Sequence, residues 1–198
     1  NSRAKEMGLH GAPHGTAILA KTQTAGRGRL GRSFHSPDGQ GIYLSMVLRP
    51  NCHATELMHL TCAAAVAMCF AIEKVTGVDC RIKWTNDLVA GKQKLGGILT
   101  ELSLNSATGL VEYAIIGIGI NCLQKSGDFH PEIAGLATSL SLAAGSDILP
   151  EKLAAAMIES LWNMSRILFS DKKQIMSVYK KNCITLGKEI QVIQSNRI

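Results

Sequence analysis

Thr24-Ala25-Gly26-Arg27-Gly28-Arg29-Leu30-Gly31-Arg32-Ser33, residues 24–33, decides how the chain is read. Gly26-x-Gly28-x-x-Gly31 matches the dinucleotide-binding fingerprint, which requires a helix to start within the glycine turn so that its first amides meet a pyrophosphate. No helix can follow here. Pro37, Gly39 and Gly41 come next, and no acidic ribose-binding residue stands about 20 positions on in a βαβ setting. The stretch is instead a glycine loop carrying Arg27, Arg29 and Arg32, which can lay amides and guanidinium forks around a phosphate or carboxylate. An RNA-binding tract looks similar locally but usually comes with stacking aromatics, and only 5% of this chain is aromatic. That favours a small anionic ligand, with nucleic acid as the competing reading.

Outward from the loop, residues 1–7 read as a short helix ended by Gly8, and residues 16–21 as a strand leading into the arginines. Ser36-Pro37-Asp38-Gly39 is turn chemistry, and residues 42–48 form a strand. Leu57, Leu60, Ala64, Met68 and Ile72 recur at helical spacing, with Thr55 as N-cap and Gly77 past the end. Residues 81–84, 97–104 and 110–117 are further strands. Pro150 opens a helix over about 151–169, and residues 187–194 read as one last strand. Consecutive strands imply antiparallel pairing. The expected fold class is α/β of the α+β kind, a mixed, largely antiparallel sheet flanked by helices.

The 198 residues are 46% hydrophobic and 18% charged, enough for one domain with a small appendage. The net charge of +6 suits an anionic ligand or acidic partner. Cys52, Cys62, Cys69, Cys80, Cys122 and Cys183 form no C-x-x-C pair and mostly sit in apolar runs, so buried reduced thiols and a reducing compartment are expected. His10 and His14 lie in a loop and no H-E-x-x-H occurs, so no residue is assigned as a direct metal ligand. The apolar run 57–72 is shorter than the roughly 20 residues of a membrane span and is expected to be a core helix. No signal peptide is visible and the first residue is Asn1, so the chain is expected to be trimmed.

Two further stretches carry chemistry. Lys83-Trp84-Thr85-Asn86-Asp87 precedes Lys94-Leu95-Gly96-Gly97-Ile98-Leu99. A hairpin with its tip at Ala90-Gly91 sets Asp87 directly across from Lys94. That is either a surface ion pair or part of a site, and Gly96-Gly97 tilts the reading to a site, because glycines within a strand suggest something approaching the backbone. Gly117-Ile118-Gly119-Ile120-Asn121 either meets a ligand or is a strand-ending turn.

Together, Gln23-x-x-Gly26-Arg27-Gly28-Arg29-x-Gly31-Arg32, Ser36-Pro37-x-Gly39, Lys83-Trp84-x-Asn86-Asp87, Lys94-Leu95-x-Gly97-Ile98-Leu99 and Gly117 to Asn121 resemble biotin protein ligases, in order and spacing. The resemblance implies a class II synthetase-like biotin/lipoate ligase catalytic domain over 1–181, with the incomplete beginning of a C-terminal SH3-like barrel over 182–198. It implies formation of biotinyl-5′-AMP from biotin and ATP with Mg²⁺, then transfer to a lysine of a biotin carboxyl carrier domain. Implied catalytic residues are Arg27, Arg29, Lys94 and Asp87. Gln23, Gly26, Arg27, Lys94, Gly96 and Gly97 would bind biotin, and Arg29, Arg32, Phe34, Asn86 and Asn121 the nucleotide. Phe34 stands where the family commonly has tryptophan, a smaller ring for the adenine.

The family's Ser-Thr before Asn1 is absent from this chain, and so is a helix-turn-helix segment, so DNA binding is not supported. A cytoplasmic location and a monomer or homodimer are expected. Lipoate ligation on the same fold would need Arg-Arg-x-x-Gly-Gly, which the loop lacks.

Overall fold

The computed structural model describes residues 1–191. The elements run α1 (Ser2–Leu9), β1 (Ala17–Ala20), β2 (Gly41–Leu48), α2 (Leu60–Thr76), β3 (Cys80–Lys83), β4 (Asp87–Ala90), β5 (Gln93–Leu104), β6 (Val111–Asn121), α3 (Leu140–Ala144), α4 (Pro150–Ile167) and α5 (Lys172–Asn182). The six strands form one sheet in the order β1-β2-β6-β5-β4-β3, and every neighbouring pair is antiparallel.

Strand alternation gives the sheet two unlike faces. Ile42, Leu44, Met46 and Leu48 of β2 and Ala114, Ile116, Ile118 and Ile120 of β6 point into one large core with α2, α4 and α5. Burying each large aliphatic there contributes about 1.5–3 kcal/mol. Among the described residues a helix covers the opposite face at one end, where Ala4 of α1 packs on Val47 and Ile115. The rest of it carries Tyr43 and Ser45 opposite Gly119 and Gly117, and Gly97 and Leu99 opposite the same two glycines. A row of small residues thus hollows the open face.

Several elements differ from the sequence reading. His59, not Thr55, caps α2, because residues 54–57 form a separate 3-10 turn before it. Gly77 closes α2 in the left-handed region at φ 69°, as a C-terminal glycine should. The combined segment 54–76 has 23 residues and a mean hydropathy of 1.6, long and apolar enough for a membrane span, but 67% of its most apolar stretch is buried within the protein. The strand ending at 117 continues to Asn121, so the glycine stretch is ladder rather than turn. Residues 187–191 form no strand; residues 192–194 of that expected strand lie outside the described residues. α5 was not anticipated.

Candidate active site

A cavity of about 670 Å³ lies on the open face, within the range of small-molecule sites. Its floor is the small-residue row, and its walls are the β4–β5 hairpin and the loop of residues 22–36.

The hairpin turns one residue later than counting suggested, with Ala90 opposite Gln93, and Asp87 faces Gly97 rather than Lys94. A register shift between Leu88 and Val89 resets the alternation. Leu95 and the adjacent Gly96 therefore both point to the core side, while Lys94 and Gly97 share the open face. That is why Lys94 still reaches Asp87, Nζ to Oδ1 at 2.7 Å, with side chains 41% and 29% exposed. What approaches Gly96 is the protein's own ladder, since a Cβ there would lie 2.2 Å from the Gly119 carbonyl oxygen. Gly97 has ordinary clearance, with Asp87 and Lys94 atoms 3.6–3.7 Å from such a Cβ.

Just before β4, the Asn86 amide donates to the Ile98 carbonyl at 3.0 Å while its oxygen accepts from Arg29 Nη1, also at 3.0 Å. Arg29 donates to Thr85 Oγ1 as well. The Tyr179 hydroxyl of α5 donates to the Thr85 carbonyl at 3.1 Å, fixing the wall from behind.

The arginine loop is held mainly by itself. Gly28 N donates to Arg32 O at 2.6 Å and Phe34 N to Gly26 O at 2.9 Å, which turns the chain back at Leu30 and Gly31, both at positive φ. Gly26 has to be glycine because a Cβ would stand 2.1 Å from the Phe34 carbonyl oxygen. The Phe34 ring rests on Gly119, whose absent Cβ would be 2.7 Å from it, and meets Tyr43 edge-on at 6.5 Å. Burial pushes the Tyr43 hydroxyl up to about 12, with the Asp38 charge adding to the rise and a Ser36 hydrogen bond opposing it.

The structure thus brings Gln23, Arg27, Arg29, Arg32, Phe34, Asn86, Asp87, Lys94 and Gly97 to one cleft. Gly26 supports the loop and Gly96 the ladder without lining it. Asn121 is not brought there; it is 8% exposed, its amide donating to the Thr138 carbonyl and accepting from Gln124.

Sequence reasoning missed Trp84, which lines the cleft at 61% exposure, and Glu101, which meets Arg27 Nη2 at 3.5 Å. Strand parity from Gly97 through Leu99 to Glu101 was the available signal, once the bulge is known. Among the described residues no three His, Cys, Asp or Glu side chains converge on a metal position. All six cysteines are free. Burial pushes the Cys52, Cys62 and Cys122 thiols up, Cys122 to about 11, and a hydrogen bond with Cys69 does the same to Cys80.

A strongly antiparallel sheet whose open face carries a glycine-arginine loop against a Lys–Asp hairpin defines a class of ligase fold, and comparison with known proteins agrees. The biotin/lipoate A/B protein ligase family matches residues 1–121, and the chain belongs to that family. The bifunctional ligase/repressor BirA of Bacillus spizizenii is 45% identical over 145 residues, 73% of this chain and 44% of that protein. A biotin--[acetyl-CoA-carboxylase] ligase of Mycobacterium tuberculosis is 27% identical over 184 residues, 90% of this chain and 64% of that one. Among solved structures, the biotin protein ligase of Aquifex aeolicus in complex with biotin and ATP aligns with TM-score 0.78 and 28% identity over 93% of this chain and 75% of that one. The chain spans less than half the length of the ligase/repressor relative.

Proposed function

We propose that this chain is the catalytic part of a biotin protein ligase, joining biotin to ATP as biotinyl-5′-adenylate and passing biotin to a lysine of a biotin carboxyl carrier domain. The observation that carries the reading is the convergence of three separate segments, 23–34, 86–87 and 94–97, on one cleft of ligand size. The relatives' names support it, as does the Aquifex ligase, which holds biotin and ATP.

In the first step the carboxylate oxygen of biotin attacks the α-phosphorus and pyrophosphate leaves. Both reactants are anionic, so cations have to offset their repulsion before in-line attack. Lys94, Arg27 and Arg29 are placed to do so. Lys94 and Arg29 are held by internal partners, Asp87 and Asn86, that an incoming anion can replace, and Arg27 leans on Glu101 through one edge. Gln23 and Gly97 line the biotin end, and Arg32, Phe34 and Asn86 the nucleotide end. The donor set fits a Mg²⁺ that arrives with the nucleotide phosphates better than a protein cage, and such an ion would supply further charge neutralisation. Asn121, buried behind the floor, would act on the nucleotide through the end of β6. The loop, closing over the cleft, keeps water from the mixed anhydride.

In the second step the acceptor amine attacks the biotinyl carbonyl and AMP leaves. With a reference pKa near 10.4, only about one lysine in a thousand is neutral at pH 7. Asp87, freed as Lys94 turns to the reacting oxygens, orients the ammonium and takes its proton during attack.

We further propose that residues 182–198 open an SH3-like domain, a reading that rests on the family resemblance, since residues 187–191 form no strand and the 181/182 boundary cuts the last turn of α5. A cytoplasmic location agrees with six free thiols. The exposed backbone of β1, paired on one side only, would suit a homodimer as well as a monomer.

Exchange of labelled pyrophosphate into ATP tests the proposal. Exchange that depends on biotin supports it. Exchange driven by lipoate instead, or oligonucleotide binding with a steep salt dependence and no response to biotin, overturns it.

A further inference from the structure

Glu101 stands on the open face of β5, two residues beyond Leu99 and directly opposite Ile115. Three donors meet its carboxylate. Lys5 Nζ lies 2.6 Å from Oε1, Asn1 Nδ2 donates to Oε2 at 2.7 Å, and Arg27 Nη2 is 3.5 Å from Oε1. The Glu101 side chain is 19% exposed against 50% for Arg27, so the carboxylate is the fixed partner and the guanidinium the movable one. Burial alone would push the Glu101 carboxyl up, but hydrogen bonds from Lys5 and Asn1 and the charges of Lys5 and Arg27 outweigh it and hold the group below the ordinary carboxylate range. Among the described residues Arg27 makes no other ion pair.

A guanidinium has five N–H donors in a rigid fork. Contact through Nη2 leaves the other edge free for the cleft. Because Lys5 occupies the same carboxylate oxygen more closely, the contact to Arg27 is long, and a ligand carboxylate can draw the guanidinium forward.

We propose that Glu101 is a positioning residue for Arg27: by taking one edge of its guanidinium it aims the remaining donors at the carboxylate of the small-molecule substrate. The inference rests on the proposed biotin-ligase reading. Its signature is in substrate affinity rather than in bond-making, since the aim matters to ground state and transition state alike.

The test uses the chain as it stands, with biotin affinity from calorimetry and steady-state pyrophosphate exchange. Glu101→Gln, which keeps shape and removes charge, raises the Kd and KM for biotin about tenfold, the loss expected for one charge-assisted contact, with kcat within about threefold and the KM for ATP unchanged. Glu101→Asp, a carboxylate set back by one methylene, gives a rise of about threefold. In an Arg27→Ala background Glu101→Gln adds less than about twofold, because the group it aims is gone. Lys5→Ala, which also loosens α1 from β5 but leaves the Arg27 contact, keeps the wild-type Kd within about twofold.

Equal losses in Lys5→Ala and Glu101→Gln, or a full loss from Glu101→Gln without Arg27, overturn the inference, because Glu101 would then act only by anchoring α1. Should Glu101→Gln not fold, an unchanged Kd in Glu101→Asp overturns it equally. A wild-type chain that neither binds biotin nor exchanges pyrophosphate overturns the functional reading itself, a result distinct from a binding wild type with an indifferent variant.

Discussion

On one side of the cleft Asp87, Lys94 and Gly97 are fixed by a six-stranded ladder with helices behind it. On the other, Arg27, Arg29 and Phe34 hang from a loop secured largely by hydrogen bonds within itself. The two walls differ in what they hold still. Lys94, which the proposed reading sets at the reacting oxygens, is mounted where the backbone cannot yield. Arg27 and Arg29, which that reading has admit the reactants and then enclose them, are mounted where it can. Substitutions in the two walls are therefore expected to differ in kind, one set costing chemistry or fold, the other costing capture and retention.

The largest effect belongs to Lys94. Its ion pair with Asp87 is partly exposed, so it contributes at most about 1 kcal/mol to stability. Removing a donor aimed at developing charge typically costs about 100- to 1,000-fold in rate. Lys94→Ala should thus lower biotin-dependent pyrophosphate exchange by about that factor, while the thermal midpoint stays within about 3 °C of wild type. Normal exchange would remove Lys94 from the chemistry.

A matched pair of glycines then sharpens the contrast. An added Cβ meets a carbonyl oxygen at 2.1 Å at Gly26 and at 2.2 Å at Gly96, nearly the same clash in the two walls. Gly96→Ala forces apart β5 and β6, and overpacking of about 1–3 kcal/mol should lower the midpoint by about 2–12 °C for a chain of this size. Gly26→Ala opens only the loop, so the midpoint should move by less than about 3 °C while adenylate escapes into solution about tenfold faster, as read by promiscuous labelling of bystander lysines. Equal melting losses would mean that the loop is as rigid as the sheet.

Much of this was legible in the sequence, for physical reasons that differ by element. The apolar runs of β2 and β6 and the left-handed glycine after α2 are local signals, and they mark those elements. The absence of a helix after Gly31, argued from Pro37 and Gly39, also holds, since residues 33–40 contain none. The β-bulge was invisible, because nothing in Lys94-Leu95-Gly96 announces that two neighbours share a face. Its consequence, Lys94 on Asp87, was anticipated through a register that does not occur. The settings of Glu101 and Asn121 were hidden for one reason: each has a partner far off in sequence, 100 residues away for Glu101 and 17 for Asn121, which periodicity does not report. α5 was hidden by lysines at both ends of a short helix.

A smaller effect probes what stiffens the fixed wall. Burial pushes the Tyr179 hydroxyl well above its ordinary value, so it stays a donor to the Thr85 carbonyl at any working pH. Tyr179→Phe leaves that carbonyl without its partner at a cost of about 1 kcal/mol, a fall of about 2–4 °C in the midpoint. Because Thr85 adjoins Asn86 and Asp87, transfer to the acceptor lysine should drop by a few-fold and adenylation less. A larger loss in adenylation than in transfer would separate Tyr179 from the Asp87 end of the wall.

The smallest expected effect is the pH response of the contact that links the two walls. Glu101 titrates below the ordinary carboxylate value in the folded chain and near about 4.3 when unfolded. The unfolded state then binds the proton more readily, so the stabilisation from Glu101 is fully present above the unfolded value and disappears as pH falls through the lower folded one. The group is partly solvated, and screening keeps the contribution small. Glu101→Gln should accordingly melt slightly below wild type at pH 7, with the gap closing as the buffer is taken from about pH 5 to pH 3. A gap that widens on acidification would mean that the carboxyl is held neutral by burial and that Lys5 and Arg27 do not govern it.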